Sequence, residues 1–219
     1  MPRITALETQ LRQAERVNVF LDGEFAFGLA VITAQQAGLH IGRELSQAEI
    51  DALLGDDLFQ KALARALVLL GYRPRSESEV RQRLVRARFE PELIDRVVDK
   101  LRSECYLDDK EFARFWTENR TNFNPRGGRL ISLELRQKGV ERAAIEEALE
   151  EGLDEEAAAF AAARKKLRQV SGLEYREFRK RLGDFLARRG FNYDTSKTVV
   201  NRLWQESQGE LPDESAEEG

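Results

Sequence analysis

Few residues of this 219-residue chain have side chains typical of catalysis or metal binding. The single histidine, His40, and the single cysteine, Cys105, exclude the usual zinc sites, which need several such ligands. Adjacent carboxylates at Asp108 and Asp109 could serve a metal ion or an acid–base pair. An aspartate beside a helix start also accepts hydrogen bonds from free backbone N–H groups, and no other ligand converges on this pair. We therefore predict a helix N-cap, with no catalytic residue, metal or cofactor. A metal-dependent activity that uses carboxylates alone stays open.

Composition indicates a compartment and a general class of protein. Hydrophobic residues make up 42% of the chain and charged residues 34%, enough for a real core. No apolar stretch approaches the length needed to span a bilayer, and the first residues lack a secretory signal. Because a lone cysteine cannot form an internal disulfide, we expect a reducing cytoplasm. We expect His40 in a surface loop and Cys105 half-buried.

Charge alternates in blocks along the chain. Residues 60–107 carry a net charge of +4 and residues 157–205 carry +8, whereas 1–59 and 108–156 carry −5 each and 206–219 carry −6. This pattern suits a partner of mixed charge, such as a protein–DNA assembly, better than bare duplex. Ordinary solvated helix faces would explain it equally well.

Basic side chains on helix-turn-helix-like units suggest contacts to phosphates, with simple solubility as the alternative. The loop Asn124-Pro-Arg-Gly-Gly-Arg129 precedes a helix, whose N-terminus favours anions. It lacks the Lys-Ser/Thr ending of a nucleotide-binding loop, which argues against ATP. The residues assigned to a partner or to DNA are Arg81, Arg88, Arg126, Arg129, Lys138, Arg176, Arg179, Lys180, Arg188 and Arg189.

Two expectations concern the placement of these cations. Arg81 and Arg88 are seven residues apart on a helix predicted over 78–89, so they should share one face. If Arg188 and Arg189 are both exposed, reversing them to glutamate should weaken partner binding and leave the fold intact.

The elements that would position these residues begin with strands and continue as helices. Asp22-Gly23 lies between two apolar runs and predicts a β-hairpin over 17–29. A short helix over 30–37 should end at Gly38. Ser46 and Glu49 form a capping box that opens a helix through Leu54. Helical patterning then runs over 57–206, and the acidic tail 207–219 is predicted to be disordered.

The helical part contains a threefold repeat. Leu84, Leu135 and Leu186 stand 51 residues apart, and Gly139 and Gly190 occupy the same place after their helices, where a left-handed turn is needed. Arg88 holds that place in the first repeat, at some conformational cost. Further helices over 59–70, 109–120 and 155–167 make each unit a three-helix module. The predicted boundaries are 1–56, 57–107, 108–153, 154–206 and 207–219.

Four motifs lie at fixed places around these helices. They are Arg73-Pro-Arg-Ser-Glu-Ser-Glu79, Tyr106-Leu-Asp-Asp109 with Phe112-Ala113-Arg114, Glu134-Leu-Arg-Gln-Lys-Gly139 and Phe185-Leu-Ala-Arg-Arg-Gly-Phe191. Their order and spacing resemble the RecX family, regulators of the recombinase RecA, over about 60–205, and the N-terminal hairpin region resembles the extension of longer members. Cys105 stands where the family often has glycine, and Arg88 replaces its turn glycine.

The resemblance implies an all-α protein with three tandem three-helix repeats in an elongated, curved array, preceded by a small β-hairpin extension. It implies a negative regulator that binds RecA and its filament on single-stranded DNA. The oligomeric state is open, and we expect a monomer. Such a protein inhibits ATP hydrolysis and strand exchange, and so modulates homologous recombination and DNA repair. The alternative is a sequence-specific duplex DNA-binding regulator, which predicts salt-sensitive binding with a large preference for one site.

Overall fold

The computed structural model describes residues 1–10 and 13–209. These residues form two compact units. The first combines Met1–Arg73 with Val80–Leu107, and the second combines Pro74–Glu79 with the chain from Asp108 onward. The second and third helical repeats therefore share one unit.

The first unit begins with an antiparallel sheet in the order β1-β2-β3, made of Ile4–Gln10, Gln13–Leu21 and Glu24–Ala30. The predicted hairpin is confirmed as β2–β3, and both turn residues, Asp22 and Gly23, have positive φ, at 49° and 90°. Strand β1 was not predicted. Only Ile4 is buried in it, so the strand carries little apolar alternation and is held by its backbone pairing to β2.

The sheet rests on two helices, α1 (Val31–Gln36) and α2 (Gln47–Leu70). Val19, Leu29, Leu45 and Leu53 belong to the core that the sheet shares with these helices. A lone hairpin is not stable in water, and this packing supplies the apolar surface that it needs.

Helix α2 corrects the prediction of two separate helices over 46–54 and 59–70. The capping box of Ser46 and Glu49 is confirmed, but the helix continues unbroken for 24 residues. The predicted boundary at 56/57 therefore lies inside a helix. The Gly-Asp-Asp sequence at 55–57 is typical of a helix end, yet Asp57 is buried and has partners outside its own helix.

Asp57 joins α2 to the sheet. Its carboxylate accepts a hydrogen bond from the backbone N–H of Ala30 at 2.7 Å and pairs with Lys61 at 2.6 Å and Arg16 at 3.3 Å. Burial pushes the pKa of Asp57 upward, but the hydrogen bonds from Lys61, Ala30 and Arg16 outweigh it and hold the pKa below its usual value. The carboxylate is thus charged and fully paired near neutral pH.

The remaining helices follow the predicted triplication. Each trio buries its own apolar cluster, with Leu84, Leu135 and Leu186 fully buried in the three clusters. The predicted three tandem three-helix repeats behind a small β extension are confirmed. The helices are α3 (Glu77–Arg86), α4 (Pro91–Ser103), α5 (Asp109–Phe123), α6 (Gly128–Gln137), α7 (Arg142–Gly152), α8 (Glu155–Lys166), α9 (Tyr175–Arg188) and α10 (Tyr193–Gly209).

Helix α10 extends three residues past the predicted start of the acidic tail at 207. Most of that tail prediction, Glu210–Gly219, lies outside the described residues.

The three turns after α3, α6 and α9 share one hydrogen-bond pattern. In each, an apolar residue after the turn donates its N–H to the carbonyl of a buried leucine five residues earlier, as in a Schellman motif. These bonds join Phe89 to Leu84 (3.3 Å), Val140 to Leu135 (3.1 Å) and Phe191 to Leu186 (3.2 Å). The predicted left-handed residues are confirmed at Arg88 (φ 63°), Gly139 (φ 80°) and Gly190 (φ 86°).

The second and third repeats meet at two glycines. The N–H of Gly127, the residue before α6, donates to the carbonyl of Arg189 at 2.9 Å. A Cβ atom at Gly127 would lie 2.3 Å from the carbonyl oxygen of Gly190, and one at Gly190 would lie 2.5 Å from Cβ of Leu130. This close approach of backbones requires glycine on both sides.

Helix α9 begins one turn earlier than its counterparts. In α3 and α6 the first residue precedes the buried leucine by seven positions, whereas in α9 it precedes Leu186 by eleven. The residue equivalent to Gly127 in the 51-residue register is Phe178. Its N–H donates within α9 to the carbonyl of Glu174 at 2.9 Å. At Gly127 this backbone N–H bonds the following repeat, whereas at the equivalent Phe178 it bonds within α9.

Candidate functional site

A basic groove lies between α9 and α10 of the third repeat. It has a volume of about 990 Å³ and includes single residues from α6 and α8 in its lining. Glu155 and Asp184 are the carboxylates that line it. The cations that line it are Arg129, Arg176, Arg179, Lys180 and Lys197.

The pattern of α9 explains why its cations point away from the core. Phe178, Leu182 and Leu186 recur every four residues and are buried. Arg176 and Arg179 lie about one turn apart outside this buried stripe, and both are exposed. Among the described residues, none of the five groove cations forms an ion pair. Their charge is therefore available to a ligand.

Two tyrosines add aromatic surface to the groove. Tyr193 is 68% exposed, and its hydroxyl accepts a hydrogen bond from Arg179 at 3.3 Å. Tyr175 is 39% exposed, donates to Asn201 at 2.9 Å and packs its ring against Trp204 with 5.3 Å between centroids. Exposed aromatic rings beside cations are the features that bind single-stranded nucleic acid, because rings stack on bases and cations pair with phosphates.

Four of the ten residues assigned from sequence meet in this groove: Arg129, Arg176, Arg179 and Lys180. Arg188 is exposed and lines a smaller adjoining cavity of about 250 Å³, together with Arg129. These five assignments stay predictions, and the structure leaves all five side chains accessible.

Arg189 has an internal role, unlike its neighbour Arg188. Its guanidinium donates to Oδ1 of Asn124 at 2.8 Å and to the carbonyl of Pro125 at 3.1 Å, and it lies 4.8 Å from the ring centroid of Phe185. Only Arg188 is exposed, so the condition set for reversing both arginines is not met. Reversal of Arg189 would disturb the contact between the second and third repeats.

Lys138, the counterpart of Arg189 in the second repeat, is also engaged. Its Nζ donates to Glu79 at 2.7 Å and lies 4.3 Å from the ring of Trp116, and its carbonyl accepts from the hydroxyl of Ser76 at 2.7 Å. Ser76 is fully buried. These contacts lower the availability of Lys138 to a partner.

Arg126 pairs with Glu134 instead of presenting a free guanidinium. Glu134 also accepts from Arg120 at 2.7 Å and from the indole of Trp116 at 2.8 Å. Burial lowers the pKa of Arg126, and the neighbouring charges of Arg120 and Arg189 lower it further. With the N–H of Gly127 also engaged, the loop 124–129 is a structural connector with one exposed cation at its end, Arg129.

Arg81 and Arg88 do not share a helix face, which corrects the sequence expectation. Helix α3 ends at Arg86, and Arg88 is the left-handed turn residue beyond it. Arg81 is on the helix and pairs with Asp95 at 2.5 Å. The two sequence expectations for Arg88 were incompatible, because the repeat register placed it at the left-handed turn, which is confirmed, while the helix predicted over 78–89 extends three residues too far.

The groove also contains residues that sequence reasoning missed, namely Lys197 and the two tyrosines. Tyr193 and Lys197 are four residues apart and so adjoin on α10. The buried residues Val199 and Leu203 mark the other side of that helix. This spacing was the available signal.

The carboxylates that open α5 behave as predicted from the sequence. Asp108 is the N-cap, and its side chain accepts from the N–H groups of Lys110 and Glu111 at 2.8 and 3.2 Å. Within residues 1–10 and 13–209, no group of three or more His, Cys, Asp or Glu residues could hold a metal ion. His40 is exposed as predicted, but Cys105 is exposed rather than half-buried, on a turn with φ of 59°.

No helix in the described part of the chain is long and apolar enough to cross a membrane.

The fold and groove define a class: a tandem array of three-helix modules whose last module carries an open basic groove. Models of the first, second and third RecX three-helix domains match residues 62–101, 108–149 and 154–200, and that of the regulatory protein RecX N-terminal domain matches residues 2–46. The chain belongs to the RecX family.

Relatives with the same description match over nearly the whole chain. Regulatory protein RecX of Bacillus velezensis is 34% identical over 221 residues, which cover 98% of this chain and 81% of that protein. The Bacillus subtilis protein is 32% identical and covers 94% and 79%. A crystal structure of regulatory protein RecX is 28% identical, with a TM-score of 0.73, and covers 92% of this chain and 100% of that one.

Proposed function

We propose that this chain is a negative regulator of the recombinase RecA in the cytoplasm, binding RecA and its filament on single-stranded DNA. It inhibits ATP hydrolysis and strand exchange and so limits homologous recombination and DNA repair. Family membership supports a regulatory role, since the relatives are named regulatory proteins. The observation that carries the proposal for this chain is the open groove with five exposed cations and two tyrosines.

The groove suits the phosphate backbone of a nucleoprotein filament. Each cation that pairs with a phosphate releases a bound counterion, which favours binding at low salt. Tyr193 is mostly exposed and can stack on a base that the filament leaves accessible. A protein seated on the strand in this way would obstruct the incoming duplex.

Helix α7 supports a separate contact to protein. Its acidic side chains include Glu147 and Glu151, which hold Arg114 at 2.7 and 2.8 Å, while Glu141 and Glu150 are exposed without such a partner in the described residues. This face repels nucleic acid and fits a basic surface on RecA.

The test is a titration of the protein into RecA hydrolysing ATP on single-stranded DNA. The wild-type protein should inhibit hydrolysis in proportion to its concentration. The triple variant R176E/R179E/K180E should need at least about ten times more protein for the same inhibition, because it reverses three phosphate contacts. For binding of single-stranded DNA by this variant, the slope of the logarithm of the binding constant against the logarithm of the salt concentration should be less steep by about two.

The matched control is R164E/K165E/R168E, which makes the same charge change at exposed residues outside the groove. It should inhibit within about twofold of wild type. Unchanged ATP hydrolysis at every wild-type concentration would overturn the proposal. A preference of about a thousandfold or more for one duplex sequence would favour the alternative of a sequence-specific duplex regulator.

A further inference from the structure

We infer that the acidic segment Glu210–Gly219 of this same chain binds in the α9–α10 groove and competes there with polyanions. The inference rests on the proposed function in one respect: the groove is taken as the polyanion site. It adds a regulator of that site, carried by the chain itself.

Charge complementarity is the first observation. The groove has five exposed cations against two carboxylates, and the cations lack carboxylate partners among the described residues. The segment carries no basic residue. Its acidic residues are Glu210, Asp213, Glu214, Glu217 and Glu218. Each side therefore offers the charges that the other lacks.

Chain geometry is the second observation. Helix α10 forms one wall of the groove from Tyr193 to Val200 and ends at Gly209. Val200 and Gly209 are nine positions apart on the helix, a distance of about 14 Å. Ten residues in extended form span up to about 33 Å. The segment can therefore turn back along α10 and reach the cations of α9.

Covalent attachment favours the chain's own segment over free anions in the groove. A short tether gives the attached segment an effective concentration on the order of millimolar. Individual exposed ion pairs are weak, so the segment need not shut the groove completely. If it occupies the groove about nine-tenths of the time, the apparent affinity for a polyanion falls about tenfold. A filament that offers many phosphates can still displace it.

The experiment neutralises the segment in the full chain with E210Q/D213N/E214Q/E217Q/E218Q. Binding to a fluorescent oligothymidylate of about 20 nucleotides should tighten on the order of five- to tenfold at low salt. The gain should fall below about twofold near 0.5 M salt, because screening weakens the segment's hold on the groove.

The matched control is E8Q/E15Q/E24Q/D56N/E118Q, which removes four glutamates and one aspartate at exposed positions outside the groove. It changes the net charge by the same amount. Equal tightening by both variants would show a general charge effect and overturn the inference, as would no tightening by either.

A second measurement does not depend on nucleic acid. Acetylation of Lys180 and Lys197 by a water-soluble reagent, followed by mass spectrometry, should speed up at least about threefold in the neutralised variant, while exposed Lys165 should not change. Unchanged labelling would overturn the inference even if the protein inhibits RecA. If oligothymidylate binds neither protein, the DNA part of the proposed function fails and the labelling still decides the inference. Protection of these lysines that rises with protein concentration would assign the segment to a second copy and overturn binding within one chain.

Discussion

The basic residues of the inter-helix turns and those of the α9–α10 groove have the same charge and opposite uses. Lys138 and Arg189 occupy equivalent turn positions, and both are held by acceptors within the protein. Arg176, Arg179 and Lys180 are exposed only a few turns away from Arg189. Where a cation adjoins the contact between repeats it stabilises the fold, and where it faces away from that contact it can bind a ligand.

The contact between the second and third repeats depends most strongly on Gly190. An alanine Cβ would lie 2.5 Å from Leu130 and would also have to adopt a φ of 86°. We expect Gly190→Ala to lower the free energy of unfolding of the second unit by about 4 kcal/mol. Fluorescence of Trp116 and Trp204, both in that unit, during urea unfolding measures the loss.

Gly172→Ala provides the control, since Gly172 has a similar φ of 76° and no atom lies within 4 Å of the position that the alanine methyl group would take. It should lose only about 1 kcal/mol. Equal losses in the two variants would show that the close approach between repeats contributes nothing.

Arg188 and Arg189 are adjacent in the chain, and their reversal should affect stability differently. Arg189→Glu removes two hydrogen bonds and a cation–π contact, and it places a carboxylate beside the carbonyl of Pro125. We expect a loss of about 3 kcal/mol in the urea unfolding of the second unit. Arg188→Glu should stay within about 0.5 kcal/mol of wild type. Similar stability of both variants would contradict the internal role of Arg189.

In the first unit, the buried carboxylate of Asp57 forms ion pairs with Arg16 and Lys61. Its pKa is lower in the folded protein than its ordinary value of about 3.9, so its contribution to stability is complete above about pH 4 and is lost as the pH falls through the folded pKa. The protection factors of the β2–β3 amides, that is, the intrinsic exchange rate at each pH divided by the measured rate, should therefore fall on acidification below about pH 4.

Asp57→Asn should destabilise the first unit by about 2 kcal/mol near neutral pH, because Arg16 loses its carboxylate partner. The variant should also lose part of the acid dependence. Protection factors in the variant that fall with pH as they do in the wild type would assign the acid sensitivity to other groups.

The repeat architecture was readable from sequence because it rests on periodic apolar residues. Leu84, Leu135 and Leu186 are buried, and Gly139 and Gly190 have the left-handed conformation that their position requires. Such features depend on residues close in the chain, so spacing alone reveals them.

The roles of the cations were less readable because they depend on contacts between distant residues. Arg188 and Arg189 are identical in type, and only the second meets Asn124, 65 positions away. The continuity of α2 was hidden for the same reason, since the partners that engage Asp57 include Arg16 and Ala30 from the sheet. For Tyr193, the only sequence signal was its four-residue spacing from Lys197 on α10.

The early start of α9 removes the backbone donor at the position equivalent to Gly127. Phe178 stands where a free backbone donor would be needed, and its N–H is already satisfied by Glu174. A turn packed there would have neither the backbone bond that Gly127 makes with Arg189 nor the hydroxyl bond that Ser76 makes with Lys138.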